Sequence, residues 1–491
     1  MIPDLRIHGA RQAPQRSDGD FVLYWMQTTQ RVQHNFALEF AIDHANRLRL
    51  PVLVYHGLRH DYPWASDRIH SFVLETVVDL YRDFESRGIQ YAFYLERTGD
   101  DAQARREAGK ASPLVELARR AALVVTDFFP TFIVPRQIRA LRAKVDTPVI
   151  AVDSCTVVPM KYFDREHASA AGFRPRLMAA LPEFLLPFEM GEPKFRTVLE
   201  ILFEPTRPAA ESIPRLLASC DIDHSVPPAR AIRGGTAAAL RRLHHFVESG
   251  LARYADDRGD PNEDATSMLS PYLHFGNISP QEILLKAREA GPTDQFAKFQ
   301  DELLTWREIS YNFVYHNKRH RTVEAIPAWA REELRTGEGD PRPVLFSDKE
   351  LELAQTGNEL WDAAQRSYLV DGWMHNSLRM LWGKAVLQWT ANAEEALRVL
   401  EHLNNKYSLD GRDPNSYGGI LWIFGKFDRP FFRRPIYGTV RYQSLNSAEK
   451  KFDVAKYVRR HSAGPRERNL SAHVAGMFGH QGLKVRTDAA D

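Results

Sequence analysis

The chain has 491 residues, too many for one ordinary core and enough for two domains, and its 44% hydrophobic, 26% charged composition is that of a globular protein. The formal net charge is only +2, which excludes a polycationic protein: affinity for nucleic acid has to come from local patches. Two cysteines, Cys155 and Cys220, exclude a disulfide framework or a cysteine-based metal site, and with no signal-like opening or membrane-length apolar run a cytoplasmic protein without metal is expected.

Residues 21–154 alternate short apolar runs with amphipathic stretches. "FVLYWM" (21–26), "PVLVYHG" (51–57), "IQYAFYL" (89–95), "AALVVTDFF" (121–129) and "PVIAVDS" (148–154) read as buried strands, with helical patterns such as 32–48 and 67–87 between them. This alternation predicts a doubly wound parallel sheet, a Rossmann-like α/β domain over 21–155. No G-x-G-x-x-G follows the first strand, so the usual dinucleotide fingerprint is missing there. Residues 156–235 carry many prolines and weak periodicity, and read as a long linker with occasional short helices. From 236 to 462 the periodicity is helical almost throughout. "SPQEILLKA" (279–287) shows a helix start, with Ser279 as N-cap, Pro280 at N1 and Glu282 at N3. An all-α second domain over 236–462 is expected, followed by a tail, 463–491.

Three stretches and two basic groups carry chemistry. In "RMLWGKAVLQWT" (379–390), Trp382 and Trp389 lie two helical turns apart on one face, beside Arg379 and Met380. Packing accounts for the face, since Leu378, Leu381, Trp382, Ala385, Val386 and Trp389 follow helical spacing. In "YADDRGDPNEDATSMLSPYLHFGNIS" (254–279), hydroxyls gather just ahead of Pro271, where a helix start offers a phosphate site or an ordinary cap. "LNNKYSLDGRDPNSYGGILWIFGKFDRP" (403–430) sets Asn404, Asp410, Arg412, Asp413 and Asn415 beside an apolar run, as a turn or a cofactor loop. Basic residues form two groups, Arg307, Lys318, Arg319, His320, Arg321 and Lys426, Arg429, Arg433, Arg434, Arg441, the second interleaved with aromatics. Basic groups with aromatic platforms suit a nucleic-acid backbone with unstacked bases.

"TSMLSPYLHFG", "WDAAQ", "LRMLW", "LNNKYSLDGRDPNSYGGILW" and "RPIYGTVRY", with "YWMQTTQRVQHNFAL" near the start, closely resemble class II cyclobutane pyrimidine dimer photolyases of the photolyase/cryptochrome family, over about residues 20–462. The resemblance implies a carbon–carbon lyase that repairs ultraviolet-damaged DNA with light, using reduced anionic FAD in the helical domain to send an electron to a flipped-out dimer. Matched residue by residue, Tyr254, Thr266, Ser267, Met268, Leu269 and Ser270 would contact the FAD phosphates and ribityl chain. Asn404 would sit near the flavin N5, with Asn405 beside it where the family often has an acidic residue. Arg379 and Asp410 would form a buried ion pair beside the ring, and Arg412 and Asp413 join the cofactor set.

On the substrate side the match implies that Glu302 bonds the dimer, that Trp306, Trp422 and Met380 line its pocket, and that Arg429, Arg433, Arg434 and Arg441 belong to a loop entering the gap in the duplex. Trp382, Trp361 and Trp389 match an electron route to the flavin, in that order outward. An antenna, deazaflavin or another chromophore, is left open, and a monomer is the family default. The competing expectations are a cryptochrome-like photoreceptor without repair and a non-enzymatic nucleic-acid-binding protein.

Overall fold

The computed structural model describes residues 2–9, 16–100, 102–290 and 293–462, so the expected tail 463–491 lies outside the described residues. Six strands form one sheet: β1 (Ile7–His8), β2 (Phe21–Met26), β3 (Val52–Leu58), β4 (Gln90–Leu95), β5 (Ala121–Asp127) and β6 (Val149–Val152). Their order is β1-β6-β5-β2-β3-β4, parallel except for the antiparallel β1–β6 edge. β2 is buried at every position. Val22, Tyr24 and Met26 pack toward the helical part, and Phe21, Leu23 and Trp25 into a second apolar cluster behind the sheet. The period of two divides them, and burial on both faces explains the unbroken apolar run.

Helix α1 (Phe36–Leu48) is capped by Asn35, whose side chain accepts from Leu38 N–H at 2.9 Å. β5 stops at Asp127, two residues before the apolar run ends. There its carboxylate collects the backbone N–H groups of Gln27, Thr28 and Thr29 at 2.7–3.0 Å, fixing the turn after β2.

The segment 156–235, read as a linker with occasional short helices, is irregular over 185–209 and packed elsewhere. Val157, Val158, Phe163, Phe173, Leu177 and Val226 are buried, and Ala170–Phe184 is one 15-residue helix containing Pro175 and Pro182. Those prolines are what hid it in the sequence. From 236 onward the described residues are helical or in connections between helices, the long one at 424–444 having no helix or strand of its own.

Buried arginines stitch the two parts together through backbone carbonyls. Arg68, on helix α2 (Asp67–Ser86), donates to Tyr368 O, Tyr407 O and Leu369 O, each at 2.7 Å, and to Pro227 O at 3.0 Å. Arg31 bonds Ser154 O and Gly276 O at 3.0 Å, and Arg307 bonds Cys155 O at 2.8 Å. Glu308 receives the N–H groups of Val157 and Val158. The helical elements are thereby held in a fixed pose against the C-terminal ends of the strands.

Candidate functional site

The helix Asn376–Trp389 directs Arg379 at the loop following Ala393–Tyr407. Arg379 Nη2 lies 2.8 and 3.0 Å from the two carboxylate oxygens of Asp410, and Arg379 Nε donates to Met374 O at 3.0 Å. Burial alone would raise the Asp410 carboxyl. The adjacent guanidinium outweighs it and holds the group below the ordinary carboxylate value. Asp410 is nearly enclosed while the Arg379 side chain keeps 24% of its exposure.

Tyr368, on the helix Glu359–Asp371, touches the same group. Its ring centre is 5.5 Å from the Arg379 guanidinium and 5.6 Å from Trp382, edge-on, and its hydroxyl donates to Asn404 Oδ1 at 3.3 Å. Asn404 Nδ2 donates to Asn405 Oδ1 at 3.2 Å, which also takes the Arg412 N–H at 2.7 Å. Asn404 is therefore tied to the Tyr368 and Arg379 surroundings, and Asn405 to the loop.

Thr266, Ser267, Met268 and Ser270 are half-buried and Leu269 is core. Arg242 holds the carbonyls of Thr266 and Ser267 at 2.6 and 2.9 Å, and Met268 adopts a left-handed φ of 50°, turning the chain into the short helix Ser270–His274. Ser270 Oγ accepts from Trp373 Nε1 at 3.2 Å. Tyr254 is buried edge-on against Phe299.

The three tryptophans expected to act together do meet. Trp361 stacks on Trp382 with ring centres 6.2 Å apart and planes 11° apart, and meets Trp389 edge-on at 5.6 Å. Trp361 is fully enclosed, and Trp389 lies farthest from Asp410 along the helix. Trp382 donates its indole N–H to Gln365 Oε1, and Trp361 donates its own to Trp382 O, both at 3.0 Å.

On the other side, Trp306 and Trp422 stack face to face, 4.6 Å apart and 13° from parallel, both half-buried. Trp306 ends a π-helical turn, Asp301–Trp306, a form that recurs at functional sites. Glu302, on the same turn, pairs with Lys298 at 2.7 Å and Arg258 at 3.0 Å. Met380 is half-buried beside Arg379. Arg429, Arg433 and Arg434 are exposed and Arg441 half-buried. Arg433 pairs with Glu333 at 2.7 Å, and the Arg441 guanidinium lies 5.6 Å from the Phe431 ring centre.

Two basic groups read from the sequence shrink in the fold. Arg307 is buried against the Cys155 carbonyl just past β6, Lys426 is buried against Glu166, and Arg321 is paired with Glu401. Lys318, Arg319, Arg429 and Arg434 remain exposed. Arg412 and Asp413 also turn inward: Arg412 bonds Asn405 O and Leu409 O, while Asp413 accepts from His274 Nδ1 and the Tyr311 hydroxyl and caps the helix Pro414–Ile423. Arg258, Lys298, Tyr368 and Trp373 were not anticipated. Tyr368 had a signal, since it follows Trp361 by seven residues on one helical face.

Arg412 also helps line a cavity of about 470 Å³ at the C-terminal ends of β2, β3 and β4. Trp25, Tyr55, Tyr94, Phe129 and Phe132 supply aromatic walls, with Arg59, Arg105 and Lys144 among the cations. It lies where the strand order reverses between β2 and β5, the usual ligand crevice of an open α/β sheet.

A family model described as DNA photolyase matches residues 22–194. The chain is 35% identical over 443 residues to a deoxyribodipyrimidine photo-lyase of Methanothermobacter thermautotrophicus, covering 90% of this chain and 94% of that one. The fold resembles a bacterial class III photolyase from Agrobacterium tumefaciens (TM-score 0.64, 19% identity, 90% of this chain and 86% of that one). It also resembles a Synechocystis sp. PCC6803 cryptochrome (TM-score 0.62, 15% identity, 93% and 89%). With more than nine-tenths of a curated relative matched at that identity, the chain belongs to the DNA photolyase family.

Proposed function

We propose that the protein is a class II photolyase that splits cyclobutane pyrimidine dimers in DNA, using light and FAD bound in its helical domain. The observation that carries this reading is the run Trp389–Trp361–Trp382, with ring centres 5.6 and 6.2 Å apart, ending beside Tyr368, Asn404 and the Arg379–Asp410 pair. Packing accounts for the burial of these rings, and their meeting in series beside a cation and a buried amide suits a redox-active group at the inner end.

The residues there fit FAD. Arg379 supplies a cation to offset a negatively charged ring, and Asn404 a buried amide. The hydroxyls of Thr266, Ser267 and Ser270 supply polar contacts to a phosphate-bearing chain. FAD, when bound, supplies light absorption and the transferable electron. The protein's share is to place and shield: Trp306 and Trp422 offer stacking surfaces to an extruded lesion, which leaves a duplex at lower cost than a normal base. Glu302, Lys298 and Arg258 present acceptor and donor groups to its imide edges, where charge develops. Exposed Arg429 and Arg434 face the phosphates.

The aromatic-walled cavity suits a second, planar chromophore of deazaflavin or related type. Natively purified protein should then show absorption beyond that of flavin, and a pure flavin spectrum counts against this assignment.

The central test is illumination of dimer-containing DNA with reduced enzyme. Loss of dimer on blue-light exposure is expected. Undiminished dimer with a flavin-loaded protein would leave a photoreceptor reading, and a protein that takes up no FAD would rule out both.

A further inference from the structure

We propose that Tyr368 is a positioning residue that fixes the amide of Asn404 toward the flavin, an inference that rests on the FAD reading above. The argument begins at an atom that cannot change its role. The Arg412 backbone N–H can only donate, and it bonds Asn405 Oδ1 at 2.7 Å. That makes Oδ1 the acceptor end of the Asn405 amide. The group 3.2 Å away on Asn404 must then be the donating Nδ2, because an oxygen there would face another oxygen. Asn404 Oδ1 is left on the opposite side, where the Tyr368 hydroxyl donates to it at 3.3 Å.

Three hydrogen bonds in series thus run from a main-chain amide to a tyrosine. Their sense is set at the backbone rather than chosen between equivalent flips. One N–H of Asn404 and one lone pair of its Oδ1 stay free. A reduced flavin carries a proton at N5 and calls for an acceptor, and Oδ1 held in this sense is one. Burial keeps water from competing, since Asn404, Asn405 and Tyr368 are all enclosed.

The Tyr368 ring packs edge-on to Trp382 and lies near Arg379, so replacing tyrosine by phenylalanine keeps the packing and removes only the hydroxyl. Redox titration of FAD-loaded protein, followed by absorbance, reads the outcome. In Tyr368→Phe the ratio of reduced to oxidised FAD at a fixed poise should fall about fivefold, the worth of one buried neutral hydrogen bond. Asn404→Ala should lower it as much or more. Adding Tyr368→Phe to Asn404→Ala should change the ratio far less than Tyr368→Phe does alone, the remainder passing through Ser408, which also meets the Tyr368 hydroxyl and bonds Asp410. Asn405→Ala, which breaks the series at its other end, should move the ratio in the same direction. An unshifted Tyr368→Phe, or a shift that persists undiminished on the Asn404→Ala background, overturns the proposal while leaving the flavin reading intact. Wild-type protein that binds no FAD overturns both.

Discussion

Two amide oxygens govern what the inner tryptophans can do with their protons. Trp382 donates to the Gln365 side chain and Trp361 to the Trp382 backbone, and neither acceptor is basic enough to take a proton from an indole. An indole that gives up an electron there keeps its N–H and can be refilled from the next ring. Trp382→Phe should therefore abolish light-driven reduction of oxidised FAD while sparing repair by chemically reduced enzyme. Time-resolved absorbance on both preparations checks this, and unchanged photoreduction would place the electron entry elsewhere. Glu302 is proposed to act on the lesion instead. If Glu302 bonds the lesion as proposed, Glu302→Ala should lower repair yield per absorbed photon more than DNA affinity, because the cations Lys298 and Arg258 beside it remain. Equal losses in both would assign Glu302 to binding alone.

Among the elements, strands were the most legible. "FVLYWM" is β2 residue for residue, because a strand buried on both faces leaves an unbroken apolar run. β1 escaped because two residues carry no period, and Ala170–Phe184 because its prolines argued against a helix. In the site, Arg379 and Asp410 were paired in advance only through the match of whole motifs. They lie 31 positions apart, and no local spacing links them. The buried Arg68 was illegible for a physical reason: it closes the C-terminal turns of Glu359–Asp371 and Ala393–Tyr407 by bonding Tyr368 O, Leu369 O and Tyr407 O, so no side chain advertises the contact. Arg68→Ala should cost about 3 kcal/mol or more, given the usual worth of charged hydrogen bonds. Urea unfolding measures it, and a loss within error of zero would mean that water replaces the guanidinium.

At the scale of the molecule, the two parts meet across groups whose charge state matters. Burial pushes the Glu308 carboxyl up to about 7, against the Val157 and Val158 N–H groups and Arg307, which favour the charged form, while Asp153 adds to the rise. A carboxyl raised in the folded state adds stability that is full below its unfolded value, about 4.5, and is lost as pH climbs through about 7. Glu308→Gln should flatten the stability profile across that window, as read by denaturant midpoints at successive pH values, and an unchanged slope would place the titration elsewhere. Binding to DNA depends on charge in another way. If Lys318, Arg319, Arg429 and Arg434 each meet a phosphate, affinity should fall about a hundredfold between 50 and 200 mM salt. A flat dependence in a filter-binding or anisotropy titration would contradict that footprint.

The arginine seam has a consequence for how such a protein changes over generations. A salt bridge constrains two positions, and substitutions at one favour compensating substitutions at the other. Arg68, Arg31 and Arg307 instead grip main-chain oxygens, which every amino acid provides. Tyr368, Leu369, Tyr407, Ser154, Gly276 and Cys155 are thus free to vary as far as this contact is concerned, while the arginines are not. Statistical coupling between positions, which infers proximity from paired change, would pass over these arginine contacts and see the join only through its side-chain pairs, such as Phe72 with Phe275 and Thr76 with Asn277.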